Sequence, residues 1–155
     1  MAVNNVTRYL DSRNIPYTVF ELPPKKLGGE ETARILNAPS EIIFKSIVIL
    51  RKESGKPILA VVPGNQEVDL KKLAKVIGEK KVTPSTQREA ENITKLQAGG
   101  ISPLALINRG FEIVIHRSVQ DFELVHVSGG ELGVNIRLSS SDLIDLTRPK
   151  VADIS

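Results

Sequence analysis

The chain contains no cysteine and no tryptophan, one methionine, and only 4 Phe and 2 Tyr among its 155 residues. The absence of cysteine removes disulfides, thiolate metal sites and a cysteine nucleophile together, and it is compatible with a reducing cytoplasm. The shortage of aromatics argues against a single-strand binder that stacks bases, because a core needs most of them. Long apolar runs are missing as well: the longest extends from Ile58 to Val62, whereas a membrane-spanning helix needs about 20 residues. Asn4, Asn5, Thr7 and Arg8 stand where a secretory leader would have its apolar centre. Neither sign of charge dominates. Lys+Arg at 21 against Asp+Glu at 18 leaves +3, too little to identify an anionic partner. What remains is ordinary globular material, 41% hydrophobic and 25% charged. Its length predicts one domain over residues 1–155, with no membrane and no DNA as partner.

Periodicity places the elements. Val3, Val6 and Leu10 have helical spacing over Val3 to Arg13, with Asn4 or Asn5 as cap. Tyr17 to Leu22 reads as a strand ended by Pro23-Pro24, and a short helix from Glu30 to Leu36 follows a loop. Phe44 to Arg51 is apolar on both faces, as in a strand covered on both sides. With Pro57 to Val62 it predicts an antiparallel hairpin. Asp69 caps a helix to Ile77, and Gly78 ends it. Lys81 to Thr83 reads as a short strand, and Thr86 to Glu89 has capping-box spacing before the next helix. Phe111 to Ile115, Phe122 to Val127 and Val134 to Leu138 read as strands. Ser141-Asp142 is expected to cap a last helix. Interleaved helices, strands and hairpins predict a mixed α/β (α+β) class.

Six of the 11 glycines fall in three loop pairs, Gly28-Gly29, Gly99-Gly100 and Gly129-Gly130. Such pairs serve as plain turns or let backbone approach a ligand closely. None matches a phosphate loop or a dinucleotide fingerprint. Lys45 stands at the entry of an apolar strand, on the face of Ile47 and Ile49. A lysine there snorkels outward, finds a carboxylate or lines a cavity. His116 and His126 lack metal-ligand spacing and read as polar strand residues. Ser128 and Ser139 to Ser141 have no nucleophile elbow and no evident base, which argues against a serine triad. Lys71, Lys72 and Lys75 share one helix. They form a basic patch for phosphates or a solvated face, which Lys25-Lys26 and Arg51-Lys52 would extend.

Five stretches in order carry a resemblance over nearly the whole chain: Ile43-Phe44-Lys45-Ser46, Val68 to Lys75, Gly99-Gly100-Ile101-Ser102-Pro103-Leu104, Val127 to Gly130, and Lys150 to Ile154. Together they resemble the YbaK/EbsC family, related to the editing domain of bacterial prolyl-tRNA synthetase. The resemblance implies a strongly curved, barrel-like mixed sheet flanked by helices. It implies trans-editing removal of a mischarged amino acid, chiefly cysteine from Cys-tRNA(Pro), with the substrate thiol assisting and with no metal or cofactor. It makes Lys45 the essential lysine, and Gly99, Gly100, Ile101, Ser102 and Pro103 the substrate loop. Ser128 and Gly129 line the same pocket, with Phe20 and Asn135 where some relatives carry tyrosine and aspartate. Mischarged tRNA would bind by its acceptor end, with Lys71, Lys72 and Lys75 as contacts and prolyl-tRNA synthetase as a further partner. The alternatives are water-driven release from Ala-, Ser- or Thr-tRNA, and a non-catalytic module that binds tRNA or a synthetase.

Overall fold

A computed structural model describes residues 4–155; Met1, Ala2 and Val3, the last of which the helical reading included, lie outside the described residues. The elements in order are α1 (Asn5–Ser12), β1 (Tyr17–Glu21), α2 (Gly29–Leu36), β2 (Phe44–Arg51), β3 (Ile58–Pro63), α3 (Leu70–Ile77) and β4 (Val82–Pro84). They continue with α4 (Gln87–Thr94), β5 (Glu112–His116), β6 (Leu124–Ser128), β7 (Val134–Ser139), α5 (Ser140–Thr147) and β8 (Lys150–Ala152).

β2 and β3 form the expected hairpin, with Lys45 opposite Val62 and Ile49 opposite Ile58. β3 is buried at every position, and its alternation divides the interior. Leu59 and Val61 join Leu10, Ile115, Val125, Ile136 and Leu143 in one cluster. Ile58, Ala60 and Val62 join Leu73, Ile77 and Ile154 in a second. Because successive side chains of a strand point to opposite faces, a strand with core on both sides admits no polar residue. β5 extends this sheet parallel to β3, β8 lies parallel to β5, and β4 pairs antiparallel with the far end of β2.

The class is mixed α+β, as expected, but the barrel-like closure implied by the resemblance is not seen. There are two sheets, β4-β2-β3-β5-β8 and an antiparallel β1-β7-β6, and neither closes. They meet at one parallel bridge between Ile43 and His126. A 3-10 turn at Ser40–Ile42 immediately precedes this bridge, so the ladder cannot extend on the N-terminal side of Ile43. Two smaller corrections also come from local chemistry. Ser139, not Ser141-Asp142, caps α5, accepting the Asp142 N–H at 3.0 Å. The three residues of β8 are too few to show any periodicity in the sequence. The other caps form as read. Asp69 accepts the N–H groups of Lys71 and Lys72, Gly78 ends α3 at φ +76°, and Thr86 and Glu89 make a capping box.

Arg51 holds the end of β2 to its neighbours. Its guanidinium pairs with Glu79 at 2.7 Å, pairs with Glu112, and donates from Nε to the Lys56 carbonyl at 2.9 Å. Only 12% of its side chain is exposed, so removing the cation leaves a largely buried Glu79 without its partner and Glu112 with Lys150 alone, at 2.9 Å. Arg51→Met is therefore expected to cost about 3 kcal/mol. At this chain length that is a fall in Tm of roughly 6–12 °C in a thermal melt.

Candidate active site

β4 is short, ends in Pro84, and pairs only with Ile49, Leu50 and Arg51. Among the described residues no other strand takes the edge of β2 along Phe44 to Ile47 that β4 leaves open. A cavity of about 400 Å³ opens there. One wall is β2 itself, with Lys45 and Ser46. Others are the loop carrying Lys25 and Lys26, the start of α2 with Gly28, Gly29 and Thr32, the approach to α4 with Ser85 and Gln87, the bend with Gly99 and Ile101, and Ser128 with Asn135 from the second sheet.

Close backbone approaches hold these walls together. A Cβ on Gly29 would lie 2.5 Å from the Cα of Gly64, so only glycine lets the start of α2 cross the end of the β2–β3 hairpin. At Gly100 a Cβ would lie 2.8 Å from the Cα of Glu131, which brings the bend to the β6–β7 turn. Each of these glycines faces protein backbone, not an open site. What approaches these two is another segment of the chain, not a ligand, while Gly99 at φ +92° and Gly130 at φ +91° serve as turn glycines.

Lys45 satisfies two of its three sequence alternatives: it lines the cavity and it has a carboxylate. Its Nζ lies 3.0 Å from Glu67 Oε1. The lysine side chain is 24% exposed and the glutamate 90%. A pair so open to water is weakly held, and the ammonium is free to exchange Glu67 for an incoming anion.

The other expected site residues divide. Gly99, Ile101, Ser128 and Asn135 share the cavity with Lys45. The Ser128 hydroxyl donates to the Gly99 carbonyl at 3.3 Å, tying the two loops across the site. Gly100, Ser102, Pro103 and Gly129 lie behind this wall. Ser102 is fully buried and its Oγ accepts the Leu104 N–H at 3.1 Å, capping a 3-10 turn at Pro103–Ala105. The Gly129 carbonyl accepts from Asn4 Nδ2 at 2.9 Å. Phe20 also lies outside the lining. Its ring sits 5.4 Å from that of His126, and Arg137 lies over it at 5.3 Å. Lys71, Lys72 and Lys75 are on α3, which does not line the cavity. Lys72 is moreover engaged by Asp153 at 2.9 Å and by the Ser155 carbonyl at 2.7 Å. Glu67 and the contact of His126 with Asn135 carried no signal in the sequence, since each partner is distant in the chain or in another strand.

The two histidines hold structure in different places. His116 Nδ1 meets Ser118 Oγ at 2.8 Å and its Nε2 meets Ser155 Oγ at 2.9 Å, fastening the last residues to β5. His126 Nδ1 meets Asn135 Oδ1 at 2.7 Å. Burial is the main cause that holds both imidazoles below the usual 6.5. Asp153 works against it at His116, and the Asn135 hydrogen bond works against it at His126. Between the folded values and 6.5 the unfolded chain binds protons that the folded chain refuses, so stability rises with pH there. Tm is accordingly expected to fall as pH drops through 6.5, with the loss complete once pH is below the folded values. Asp153, held below its usual 3.8 chiefly by the Lys72 hydrogen bond, adds a second loss at lower pH. Melts between pH 8 and pH 4 measure the histidine loss, and extending them to pH 2 measures that of Asp153. Among the described residues no group of His, Cys, Asp and Glu could hold a metal, and no helix is long and apolar enough to cross a membrane.

Comparison with known proteins bears on this site. Residues 24–146 match the aminoacyl-tRNA editing domain family. A protein of Enterococcus faecalis named as a candidate Cys-tRNA(Pro)/Cys-tRNA(Cys) deacylase, EbsC, is 33% identical over 153 residues, covering 97% of this chain and 92% of its own. The prolyl-tRNA editing protein ProX of Acetoanaerobium sticklandii is 26% identical, covering 86% of this chain and 83% of its own. A proline–tRNA ligase of Thermodesulfovibrio yellowstonii is 28% identical over 77% of this chain, which spans 20% of the ligase. Among solved structures, a hypothetical protein at 22% identity superposes with a TM-score of 0.88, over 97% of this chain and 99% of its own. A candidate trans-editing enzyme for prolyl tRNA synthetase at 23% superposes with 0.80, over 99% of each chain. These two bear on the fold. The family match and the Enterococcus relative settle the lineage: the chain belongs to the aminoacyl-tRNA editing domain family, in its YbaK/EbsC group.

Proposed function

We propose that this chain is an aminoacyl-tRNA deacylase that releases cysteine from Cys-tRNA(Pro) in trans, at the cavity beside Lys45. The observation that supports it is the meeting, in a chain of this family, of Lys45, Gly99, Ile101, Ser128 and Asn135 around one cavity. An aminoacyl ester is already activated, so positioning it and stabilising the developing oxyanion accounts for most of what a catalyst must supply. Lys45 brings the positive charge. With a cysteine substrate the thiol sulfur attacks its own carbonyl carbon, the ester C–O bond breaks, and the ribose oxygen takes up a proton. Water then opens the cyclic thioester. The protein's own lack of cysteine is consistent with a nucleophile supplied by the substrate.

The acceptor end would enter past Lys25 and Lys26, which line the mouth. Lys71 and Lys75 on α3 would meet phosphates farther along, with Lys72 less available. Prolyl-tRNA synthetase is the natural source of the mischarged tRNA and the partner to test.

The test is amino-acid release from Cys-, Ala-, Ser- and Thr-charged tRNA under one set of conditions. Fastest release of cysteine is expected. One methyl or hydroxyl is worth only about 1–3 kcal/mol in such a pocket, so the preference is expected to be graded, about 10- to 100-fold. Fastest release of alanine would move the activity to water attack, and binding of tRNA without release would overturn the enzyme reading.

A further inference from the structure

In the antiparallel register of β1, β7 and β6, Phe20, Asn135 and Ser128 stand side by side, with His126 opposite Arg137 one pair farther along the same face. Asn135 is 5% exposed and His126 3%, so neither carboxamide nor imidazole is an ordinary surface group. The atom that His126 Nδ1 meets is the carboxamide oxygen of Asn135, at 2.7 Å. With the carboxamide in this orientation its oxygen can only accept, so the matching tautomer carries the proton on Nδ1 and leaves Nε2 of the neutral ring bare.

The other end of the carboxamide is fixed by elimination. Among the described residues Asn135 Nδ2 has no hydrogen-bond partner, yet none of their fully buried side-chain nitrogens or oxygens lacks one. Nδ2 is therefore accessible, and the space that Asn135 lines is the cavity. A free carboxamide would rotate and offer oxygen or nitrogen alike. Here the imidazole holds the oxygen, and the Phe20 ring at 5.4 Å packs against the imidazole in turn.

We infer that His126 is a positioning residue that locks Asn135 as a hydrogen-bond donor into the cavity, where its NH₂ meets the carbonyl oxygen of the aminoacyl ester. This rests on the deacylase reading above and adds to it a second donor, from β7, beside the Lys45 ammonium from β2. It also gives Phe20 a place as the support of His126, outside the cavity wall.

The first measurement is the tautomer of His126 in the wild-type protein by nitrogen NMR at pH 7.5. Protonation at Nδ1, the minor form in free neutral histidine, is expected, and protonation at Nε2 would overturn the inference. The second is a kinetic cycle with charged tRNA. His126→Phe keeps a ring but cannot donate, and it is expected to lower kcat about tenfold with KM within about twofold. His126→Gln, whose amide N–H can donate, is expected to recover most of that loss. In an Asn135→Ala background His126→Phe should have no further effect, because its role passes through Asn135. Independent losses, or an unchanged kcat, would overturn the inference. If His126→Phe does not fold, the wild-type tautomer and His126→Gln decide it: Nε2 protonation, or a Gln variant as slow as Asn135→Ala, counts against it. A wild-type protein that releases no amino acid from any tRNA overturns the deacylase reading itself. An active wild type indifferent to His126 overturns this inference alone.

Discussion

Lys45→Met is expected to slow amino-acid release from charged tRNA by about 100-fold or more, the range seen when one donor to a developing oxyanion is removed. Methionine keeps the length of the stem along the cavity wall and removes only the charge. The fold should survive, because the pair that is lost, Lys45 with a Glu67 that is 90% exposed, is worth little in water. A change in Tm of no more than about 3 °C is expected alongside the kinetic loss. That separation distinguishes a catalytic cation from a structural one. Glu67→Gln provides the complement: it frees the ammonium from its resting partner, and release should be retained. A Lys45→Met protein that turns over at the wild-type rate would remove the lysine from the chemistry.

The second large effect is expected at a residue with no functional group. Gly29→Ala places a Cβ where the Cα of Gly64 lies 2.5 Å away and the Gly64 carbonyl oxygen 2.9 Å away. The obstacle is backbone, not the tip of a flexible side chain, so one of the two segments must move. Overpacking of this kind costs about 1–3 kcal/mol, and at this length the upper figure corresponds to a Tm lower by roughly 6–12 °C. The start of α2 is also a wall of the cavity. Activity at temperatures well below Tm should therefore fall too, through a raised KM for charged tRNA. Gly28→Ala is the control for stability, since a Cβ there meets nothing within 4 Å, and it should leave Tm nearly unchanged.

The contrast between these glycines shows what could be read from the sequence and what could not. Both stand in one Gly-Gly pair, and nothing local distinguishes them; the difference is Gly64, 35 positions beyond Gly29 in the numbering. The β2–β3 hairpin was legible because apolar residues on both strand faces are a local pattern. So was α3, whose two ends, Asp69 and Gly78, are set by the backbone next to them. Lys45 stood out because a lysine entering an apolar strand is an anomaly in place. Its partner, 22 residues away in a loop, gave no such sign. Period-two alternation identifies strands but not which of them pair, so apart from the β2–β3 hairpin it says nothing of the division into two sheets. The same limit applies to the site. The resemblance named a continuous loop, Gly99 to Pro103, whereas the fold sends Gly99 and Ile101 into the cavity and turns Ser102 and Pro103 inward, into the 3-10 turn.

Where the scissile ester sits is the question on which the rest depends. A crystal structure of the protein with a non-hydrolysable cysteinyl-adenosine amide addresses it without reference to rates. The analogue is expected in the cavity, with its aminoacyl carbonyl within hydrogen-bond reach of Lys45 Nζ and Asn135 Nδ2 and with Glu67 displaced from the ammonium. An analogue bound elsewhere, with Lys45 still paired to Glu67 and the cavity empty, would contradict the assignment of this cavity as the editing site.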